Sequence, residues 1–397
     1  MRIIILGTGG VGTVIAQDLG EDPDISQIVL ADADLAKAKR LEERIANAAA
    51  YLVDASKVDQ LEPLLRGFHL VINALPPEFN QNVMRASLDN KANYLDMASG
   101  TIQGETIDES FQKQLNLDSD WKQGGLIALL HGGITPGITN IVAGEGADSL
   151  DRATRIIIRN FGKIEASESI SVWSPVTALR DKASPPLTFR NGRFQRVKPF
   201  EGAEEYEFPN IGKETVVTYE HEEVSTLPRF IQGLEDVEFK MGGFDVTKYK
   251  VLFEAGLLSD EPLKIDRFEV SPLQVIAAMM PPTISPEELE RKIEDGTIRR
   301  SLSIRLIEIE GEKGGKRTKL LYQISHPDLH QAFKRIWGAN HLSYATGVSA
   351  AAFAKAILKG KIDRKGVFPP ECLDHEARRF VFDEIRKYDL RVEQGIQ

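Results

Sequence analysis

Four glycines near the start of the chain form the pattern with the clearest chemical meaning. They lie in a motif that follows the apolar run 3–6: Gly7, Thr8, Gly9, Gly10, Val11 and Gly12. Glycines at this spacing let a strand turn tightly into a helix, let a pyrophosphate approach the main chain, and let the helix pack on the strand. The N-terminus of that helix stabilises the phosphate charge. The motif therefore predicts a dinucleotide-binding site.

An acidic side chain at the end of the next apolar run indicates which dinucleotide is bound. Asp32 lies twenty residues after Gly12, where a carboxylate accepts hydrogen bonds from the adenosine ribose and repels a 2′-phosphate. Ala33 and Asp34 follow it, so no arginine is present there to receive an extra phosphate. We therefore expect the cofactor to be NAD rather than NADP. Asp54, after the third predicted strand, either approaches the adenine side or caps the following helix.

Length and composition limit the classes of protein that fit this chain. Its 397 residues exceed what one hydrophobic core usually supports, so we expect two domains. The net charge of −10, without a block of Lys or Arg, argues against nucleic acid and anionic membranes as partners. Cys372 is the only cysteine, which excludes an internal disulfide and a multi-cysteine metal site, and we expect no metal. No run approaches the roughly 18 apolar residues of a membrane span, so we expect a cytoplasmic protein.

Over residues 1–150, short apolar runs alternate with helical segments, which is typical of a parallel sheet wound with helices. The candidate strands are 3–6, 28–31, 51–53, 70–74, 94–97 and 126–130. We therefore predict an α/β protein whose residues 1–150 form a Rossmann fold, a doubly wound parallel sheet that binds NAD.

After residue 150, longer β-type segments dominate. The candidate strands are 155–160, 169–174, 187–190, 215–220 and a hairpin around the turn 312–316. In that hairpin, the alternation of apolar and polar residues changes phase at Ile307 and Ile309, which predicts a bulge. Ser271 and Ser285, each followed by proline, are typical helix starts. We predict an α+β domain with a mixed sheet over 151–340.

The C-terminal segment 341–397 contains a stretch rich in small residues at 345–358, which is typical of a helix that packs closely. We expect this segment to return to the first domain as helices and to close the cleft.

In an open α/β sheet, the ligand crevice lies beyond the carboxyl ends of the strands. After the fourth predicted strand come Asn73, Ala74, Leu75 and Pro76, which form either a backbone wall for the nicotinamide ribose or a rigid connection to the next helix. Asp96 ends the fifth strand, and His131 opens a glycine-rich turn after the sixth.

These motifs, with others in the second domain, resemble the saccharopine dehydrogenase family, close to its lysine 6-dehydrogenase branch. The matching segments cover nearly the whole chain in the same order: 7–12 with Asp32, 73–75, 94–96, 135–140, 189–192, 225–227 and 366–371. The resemblance implies a dinucleotide-binding domain, a second domain that mediates dimerisation, and oxidation at an amine carbon of an amino acid. The chain departs from the family at Thr135, where relatives frequently carry an acid, and over 219–224, where the lysine branch is rich in glycine.

We therefore expect a homodimeric NAD-dependent oxidoreductase that acts on a C–N bond of a small amino-acid substrate, of the lysine 6-dehydrogenase or saccharopine dehydrogenase type. Such chemistry needs a base of near-neutral pKa at the reacting nitrogen, and histidine meets that need best. His221 lies between Glu220 and Glu222, whose carboxylates would raise its pKa and bind a substrate ammonium. His131 and Asp96 are further catalytic candidates. The alternatives are an exposed strand-edge role for His221 and a turn-shaping role for His131.

The carboxylate of an amino-acid substrate requires a cationic receptor, for which an arginine fork is best suited. Arg229 and Arg180 are the candidates in the second domain, and the alternative for each is an ordinary surface charge.

Two other classes of function compete with this hypothesis. The first is a regulatory or sensor protein that binds NAD without turnover. The second is a sugar or aldehyde oxidoreductase of similar architecture, which the residues after the fifth strand and the lack of a mid-chain cysteine disfavour.

Overall fold

The computed structural model describes residues 1–100, 102 and 104–395. Its first half forms a parallel sheet whose strands are short, mostly buried runs: β1 (Arg2–Leu6), β2 (Gln27–Asp32), β3 (Ala48–Leu52), β4 (Leu70–Asn73), β5 (Asn93–Asp96) and β6 (Ile127–Leu129). Helices connect and follow these strands: α1 (Gly10–Gly20), α2 (Leu35–Glu42), α3 (Val58–Leu64), α4 (Asn80–Asp89), α5 (Ile107–Leu115), α6 (Asp118–Gln123) and α7 (Ile138–Asp148).

The strand order of this sheet confirms the predicted Rossmann fold. A strand from the C-terminal region, β17 (Gly366–Phe368), adds to one edge, so the order is β17-β6-β5-β4-β1-β2-β3 with every pair parallel. The direction of winding reverses between β1 and β4, and a ligand crevice forms where the chain leaves the carboxyl ends of those two strands.

The third strand begins earlier than the sequence predicts. Tyr51 and Leu52 of the predicted strand 51–53 do belong to β3, although they are 46% and 64% exposed. The strand also includes alanines 48–50, which pair with residues 28–30 of β2 at the edge of the sheet. An edge strand needs no continuous apolar run, so this start carries little signal in the sequence.

The second half of the chain builds a mixed sheet, as predicted for 151–340. Its strands are β7 (Arg152–Ala166), β8 (Leu187–Arg190), β9 (Arg193–Arg196), β10 (Glu204–Phe208), β11 (Gly212–Thr218), β12 (Asp236–Gly242), β15 (Ile298–Lys313), β16 (Lys316–Ser325) and β18 (Arg391–Gly395). The main order is β10-β11-β12-β7-β15-β16-β18, in which β12 and β7 run parallel and the remaining neighbours antiparallel. A separate hairpin joins β13 (Leu263–Ile265) to β14 (Phe268–Val270).

Helices cover this sheet and return to the first one. They are α8 (Pro175–Ala183), α9 (Glu222–Phe230), α10 (Val246–Glu254), α11 (Pro272–Met279), α12 (Pro286–Glu294), α13 (Leu329–Arg335), α14 (His341–Leu358) and α15 (His375–Arg386). The predicted helix starts at Ser271 and Ser285 are confirmed, since each hydroxyl accepts a hydrogen bond from the backbone three residues on. The predicted strand at 169–174 is wrong, because Ser174 instead caps α8. No helix among the described residues is long and apolar enough to cross a membrane.

The predicted bulge at Ile307 and Ile309 is also wrong. β15 lies between β7 and β16, and both of its faces are buried over residues 304–309. Ile304 and Leu306 pack with Phe161 on one face, whereas Ile307 and Ile309 belong to the core on the other. A central strand with two apolar faces produces the same sequence pattern as a phase change. The register of β15 on β7 shifts elsewhere, near residues 298–300 and 310–311.

The helix predicted over 345–358 is confirmed as part of α14, and it packs closely on α1 of the first sheet. A Cβ placed on Gly347 would lie 2.5 Å from the Val14 Cβ, so the two helix backbones approach as closely as a glycine allows. The last strand, β18, joins the second sheet rather than the first, which the sequence analysis had not foreseen.

We expect Gly347→Ala to destabilise the protein by about 1–3 kcal/mol, because the added methyl overpacks the contact between α14 and α1. Urea unfolding measures the change. Gly162→Ala is the matched control, since a Cβ there meets no heavy atom within 4 Å. Equal stability of the Gly347→Ala variant and the wild type would contradict the close packing.

Candidate active site

The glycine turn between β1 and α1 has the shape that a bound pyrophosphate requires. Gly7 has a φ of +91°, and a Cβ on Gly12 would lie 1.9 Å from the Gly7 carbonyl oxygen. Nothing lies within 4 Å of a Cβ on Gly9, so the backbone is open to a ligand on that side. Among the described residues, no side chain caps α1 and none in its first turn is acidic. The first N–H groups of α1 are thus left to bind an anion.

Asp32 lies beside this turn, as the sequence predicts. One carboxylate oxygen accepts hydrogen bonds from the backbone N–H and the hydroxyl of Thr8, at 2.7 and 2.8 Å, and the other accepts one from the Asp34 N–H at 2.8 Å. A carboxylate has about four acceptor positions, so capacity remains for a ribose hydroxyl. Asp54 is placed differently: it accepts hydrogen bonds from Ser56 and pairs with Lys57 at 3.2 Å. That geometry favours the local turn role over adenine binding.

The segment after β4 forms a wall beside the glycine turn. The Asn73 amide is buried and donates to the Asn80 side chain at 2.8 Å and to the Tyr94 hydroxyl at 3.0 Å. The Ala74 carbonyl and the Leu75 side chain lie 2.7 and 3.2 Å from a Cβ placed on Gly7. The structure therefore brings the segment Asn73–Pro76 and the glycine motif together at one end of the sheet, where a dinucleotide fits.

Asp96 is fully enclosed in a network of donors at the end of β5. Its carboxylate accepts hydrogen bonds from Tyr94 Oη at 3.0 Å, Gln114 Nε2 at 2.7 Å and the His131 N–H at 2.8 Å. Burial raises the pKa of this carboxyl to about 7 against the opposing effect of these donors. The bond to His131 shows that Asp96 holds the turn after β6 in place.

His131 is buried at the start of that turn, in a left-handed backbone conformation with φ of +62°. Its Nε2 lies 2.6 Å from the Ser99 hydroxyl, and its ring packs 5.2 Å from the Phe111 ring centre. Burial, aided by the charge on His221, lowers the pKa of His131 to about 3. His131 is therefore neutral at physiological pH, a state suited to shaping the turn.

The turn continues through a cis bond between Thr135 and Pro136 to Gly137, which opens α7. Gly137 has a φ of +130°, and a Cβ there would lie 2.0 Å from the Gly133 carbonyl oxygen. This conformation directs the first turn of α7 toward the second domain, where Thr139 donates to Glu223 at 2.6 Å.

His221 lies at the N-terminus of α9 in the second domain and contacts two carboxylates. Its Nδ1 hydrogen-bonds Glu223 Oε2 and lies 3.3 Å from Glu222 Oε2, and its ring stacks on Phe239 at 4.0 Å. Burial opposes the charge on this ring, but Glu223, Glu222 and Asp181 together raise its pKa to about 9. The imidazole is therefore protonated at neutral pH, with its Nδ1 held by the two glutamates.

The two glutamates also fasten α9 to the first domain. Glu222 Oε1 accepts the Gly100 N–H at 3.0 Å, and Glu223 is fully buried against Thr139. Sequence reasoning selected Glu222 but missed Glu223, although the run of acids around His221 contained that signal. It also missed Glu371, which accepts a hydrogen bond from Asn140 at 3.0 Å and whose pKa burial raises to about 7.

Three of the predicted substrate-binding residues have partners within the protein. Glu220 is 1% exposed and accepts hydrogen bonds from the Leu187 N–H and from Arg196. Arg180 pairs with Asp260 at 2.6 Å, and Arg229 pairs with Asp108 at 2.9 Å. The structure does not bring these three to His221 as open ligands, because each satisfies a neighbouring charge.

A buried arginine of β15 also lies at the site, although it is not among the predicted site residues. Arg305 is 2% exposed, and its Nε donates to the Thr135 hydroxyl at 3.1 Å. The predicted alternation grouped Arg305 with the polar residues of the strand. The apolar residues Ile307 and Ile309 share its face, and they are the signal that this face is buried.

Comparison with known families accounts for nearly the entire chain. Residues 3–129 match the saccharopine dehydrogenase NADP binding domain, and residues 133–390 match the saccharopine dehydrogenase C-terminal domain.

Two curated relatives align over 94% of this chain. One is the carboxynorspermidine synthase of Vibrio cholerae serotype O1, 29% identical over 92% of its own length. The other is the carboxyaminopropylagmatine dehydrogenase of Synechocystis sp., 26% identical over 93% of its length. Among solved structures, an apo saccharopine dehydrogenase (L-Glu forming) of Saccharomyces cerevisiae superposes with a TM-score of 0.72, at 15% identity and full coverage of both chains. That likeness supports the fold.

We expect an NMR titration of His221 to give a pKa of about 9, and Glu223→Gln to lower it toward the ordinary value of 6.5, since the Glu223 carboxylate stabilises the imidazolium. Glu220→Gln is the matched control: it neutralises the preceding acid, which binds Arg196 instead. An unchanged His221 pKa in the Glu223→Gln variant would contradict the ion pair.

Proposed function

We propose that the protein forms or oxidises a secondary amine that joins an amino-acid arm to a polyamine arm. The chain belongs to the saccharopine dehydrogenase family. As a member of that family, the chain is an NAD(P)-dependent oxidoreductase of amine substrates. The sequence predicted a reaction at a C–N bond of an amino acid, and the proposal limits the substrates of that reaction to one class. Lysine and saccharopine, the substrates expected from the resemblance, are the comparison compounds in its test.

The names of the relatives support this substrate class. Carboxynorspermidine is a carboxylated polyamine, and carboxyaminopropylagmatine is agmatine that carries an amino-acid arm. Both compounds are cations with one carboxylate. When aspartate semialdehyde condenses with an amine and the imine is reduced, the amine gains a carboxyaminopropyl group.

The observation that carries the proposal is the protonated His221 at the cofactor crevice, flanked by Glu222 and Glu223. The two carboxylates attract a cationic amine and hold the imidazole in its charged form. A cavity of about 490 Å³ borders α8, and its lining includes Glu105, Glu109 and the ion pair of Asp260 with Arg180.

When bound, the nicotinamide cofactor accepts or supplies the hydride at the amine carbon. The protein residues manage the proton. His221, with Nδ1 held by Glu223, donates a proton from Nε2 to the imine nitrogen in the reductive direction and accepts one in the oxidative direction. Asp96 and the neutral His131 act as positioning residues, since both hold the turn that leads to α7.

We further propose the division of labour expected from the sequence: cofactor binding by 1–150, substrate binding and dimerisation by 151–340, and closure by 341–397. A homodimer is favoured by the β13–β14 hairpin and α11, which expose large apolar side chains to solvent: Leu263 at 56%, Ile265 at 59%, Phe268 at 59% and Met279 at 79%. Exposed apolar groups of this kind mark interaction surfaces. A cytoplasmic location stays a prediction.

We propose NAD as the preferred dinucleotide, because the Asp32 carboxylate lies where a 2′-phosphate would approach. Asp32→Ala is expected to weaken NADH binding about 10-fold or more, since hydrogen bonds to charged groups contribute about 1.5–3 kcal/mol, and to weaken NADPH binding much less. Calorimetry measures both affinities. Asp34→Ala, which removes a neighbouring acid that caps α2 and lies 4.0 Å from the Lys37 ammonium, is the control. A wild-type preference for NADPH would contradict the proposal.

For the reaction itself, we expect NADH oxidation when the protein is given aspartate semialdehyde with a diamine or agmatine, and a secondary-amine product in mass spectra. Lysine and saccharopine with NAD are tested in parallel. The rate of the reductive reaction should fall as pH rises through about 9, where His221 loses its proton. His221→Gln should remove most of the activity and that pH dependence. Turnover of lysine or saccharopine alone would overturn the substrate class, and NADH binding without any turnover would favour a sensor.

A further inference from the structure

Arg305 is held in the interior by neutral groups. Its Nε donates to the Thr135 hydroxyl at 3.1 Å, and its Nη1 donates to the Ser303 hydroxyl at 2.9 Å and to His326 Nε2 at 2.6 Å. The other nitrogen of His326, Nδ1, lies 2.9 Å from the Pro327 carbonyl oxygen, so it carries the proton and Nε2 is the acceptor. Among the described residues, Nη2 of Arg305 makes no hydrogen bond.

The two histidines near Arg305 are neutral. Burial, with the nearby guanidinium, holds the pKa of His326 well below its usual range and lowers that of His341 to about 3. His341 is 2% exposed at the start of α14, and its Nδ1 has no hydrogen-bond partner among the described residues. The cluster therefore combines one buried cation with an unused polar atom.

No carboxylate of the described residues forms an ion pair with this guanidinium. Glu223 stabilises it electrostatically from a longer distance, but burial is the larger effect and lowers the Arg305 pKa to about 10. A buried charge without a contacting counterion is costly, and proteins normally pair such charges. Arg180 and Arg229, by contrast, already have aspartate partners. Arg305 is thus the arginine at this site whose counterion is missing from the protein itself.

The position of Arg305 relates it to the cofactor crevice. Thr135, its hydrogen-bond partner, belongs to the turn after β6, and Thr139 in the following helix bonds Glu223, the partner of His221. The start of α14, which carries His341, also contacts the glycine turn, because a Cβ on Gly10 would lie 3.1 Å from the Ser343 Cβ. Arg305 therefore contacts the turn 132–137, and the helix that follows this turn, α7, contacts the partner of His221.

We propose that Arg305 binds the carboxylate of the amino-acid arm of the substrate, with Thr135 and His341 beside it. This inference rests on the proposed function and adds the orientation of the substrate: the carboxylate lies at Arg305 and the reacting nitrogen at His221. A planar guanidinium with free donors is the receptor best matched to a carboxylate. The substrate carboxylate then supplies the counterion that the folded chain lacks.

Kinetics of Arg305→Met test the inference if turnover is observed. Losing a charge-assisted hydrogen bond should raise KM for aspartate semialdehyde about 10- to 100-fold, while KM for the amine and the Kd for NADH stay within about twofold. Arg300→Met is the matched control, since Arg300 lies on the same strand, is exposed and pairs with Glu165. Melting curves establish that each variant is folded. Equal losses for the aldehyde, the amine and NADH would assign Arg305 a structural role and overturn the proposal.

Calorimetry with an unreactive probe separates this inference from the proposed function. In the NADH complex, L-2-aminobutyrate should bind the wild type at least 10-fold more tightly than its carboxamide does, and Arg305→Met should abolish that difference. Discrimination without turnover of any substrate would support the carboxylate site and reject the proposed reaction. Turnover of the proposed substrates without discrimination would reject the carboxylate site alone.

A second substitution tests the missing counterion directly. Thr135→Asp places a carboxylate where the Thr135 hydroxyl meets Arg305 Nε, so it should occupy the guanidinium and weaken L-2-aminobutyrate binding at least 10-fold. Arg300→Met, on the exposed part of the same strand, should bind the probe as the wild type does. Undiminished binding in the Thr135→Asp variant would contradict the role of Arg305.

Discussion

The contact between α9 and the first domain is the interaction on which the site depends. Glu222 and Glu223 each use one oxygen to bind the first domain, at the Gly100 N–H and the Thr139 hydroxyl, and the other oxygen faces His221. The same two side chains therefore align the two domains and set the charge of the candidate catalytic imidazole. Displacing α9 would change both at once. For this reason the chemistry and the domain interface cannot be separated in this fold.

Several charged or titratable side chains are buried around that contact, and their neighbours determine their protonation. Asp96 and Glu371 are buried carboxyls with pKa values raised to about 7, and His131 is kept neutral. Of His131, His221, His326 and His341, only His221 is held as a cation, because it is the one beside two carboxylates. Proton-handling and structural groups are thus distinguished by their neighbours rather than by residue type. Arg305 is a further buried cation, and its hydrogen-bond acceptors are neutral.

Several features of the site were predictable because they depend on local sequence. The glycine motif, Asp32 and the segment after β4 follow strands of the first sheet, and parallel strands bring their carboxyl ends to one edge. Asp96 and His131 were placed at that edge for the same reason. Their roles were not predictable. Whether Asp96 meets solvent or three donors depends on Gln114 from α5 and on the His131 backbone, which the sequence order does not bring together.

The alternation of apolar runs with helical segments and the spacing of the motif residues thus determined the Rossmann sheet, its glycine turn and the residues at its crevice. These features arise from neighbours within one strand–helix unit. Only the tertiary structure decided which charges meet. Arg229 and Arg180 have aspartate partners 121 and 80 residues away, whereas Arg305 meets Thr135 across 170 residues. Whether an arginine is paired or free depends on contacts between distant segments, and buried charges depend on such contacts more than any other group. The sequence alone therefore located the cofactor end of the site, and the packing of two domains decided its substrate end.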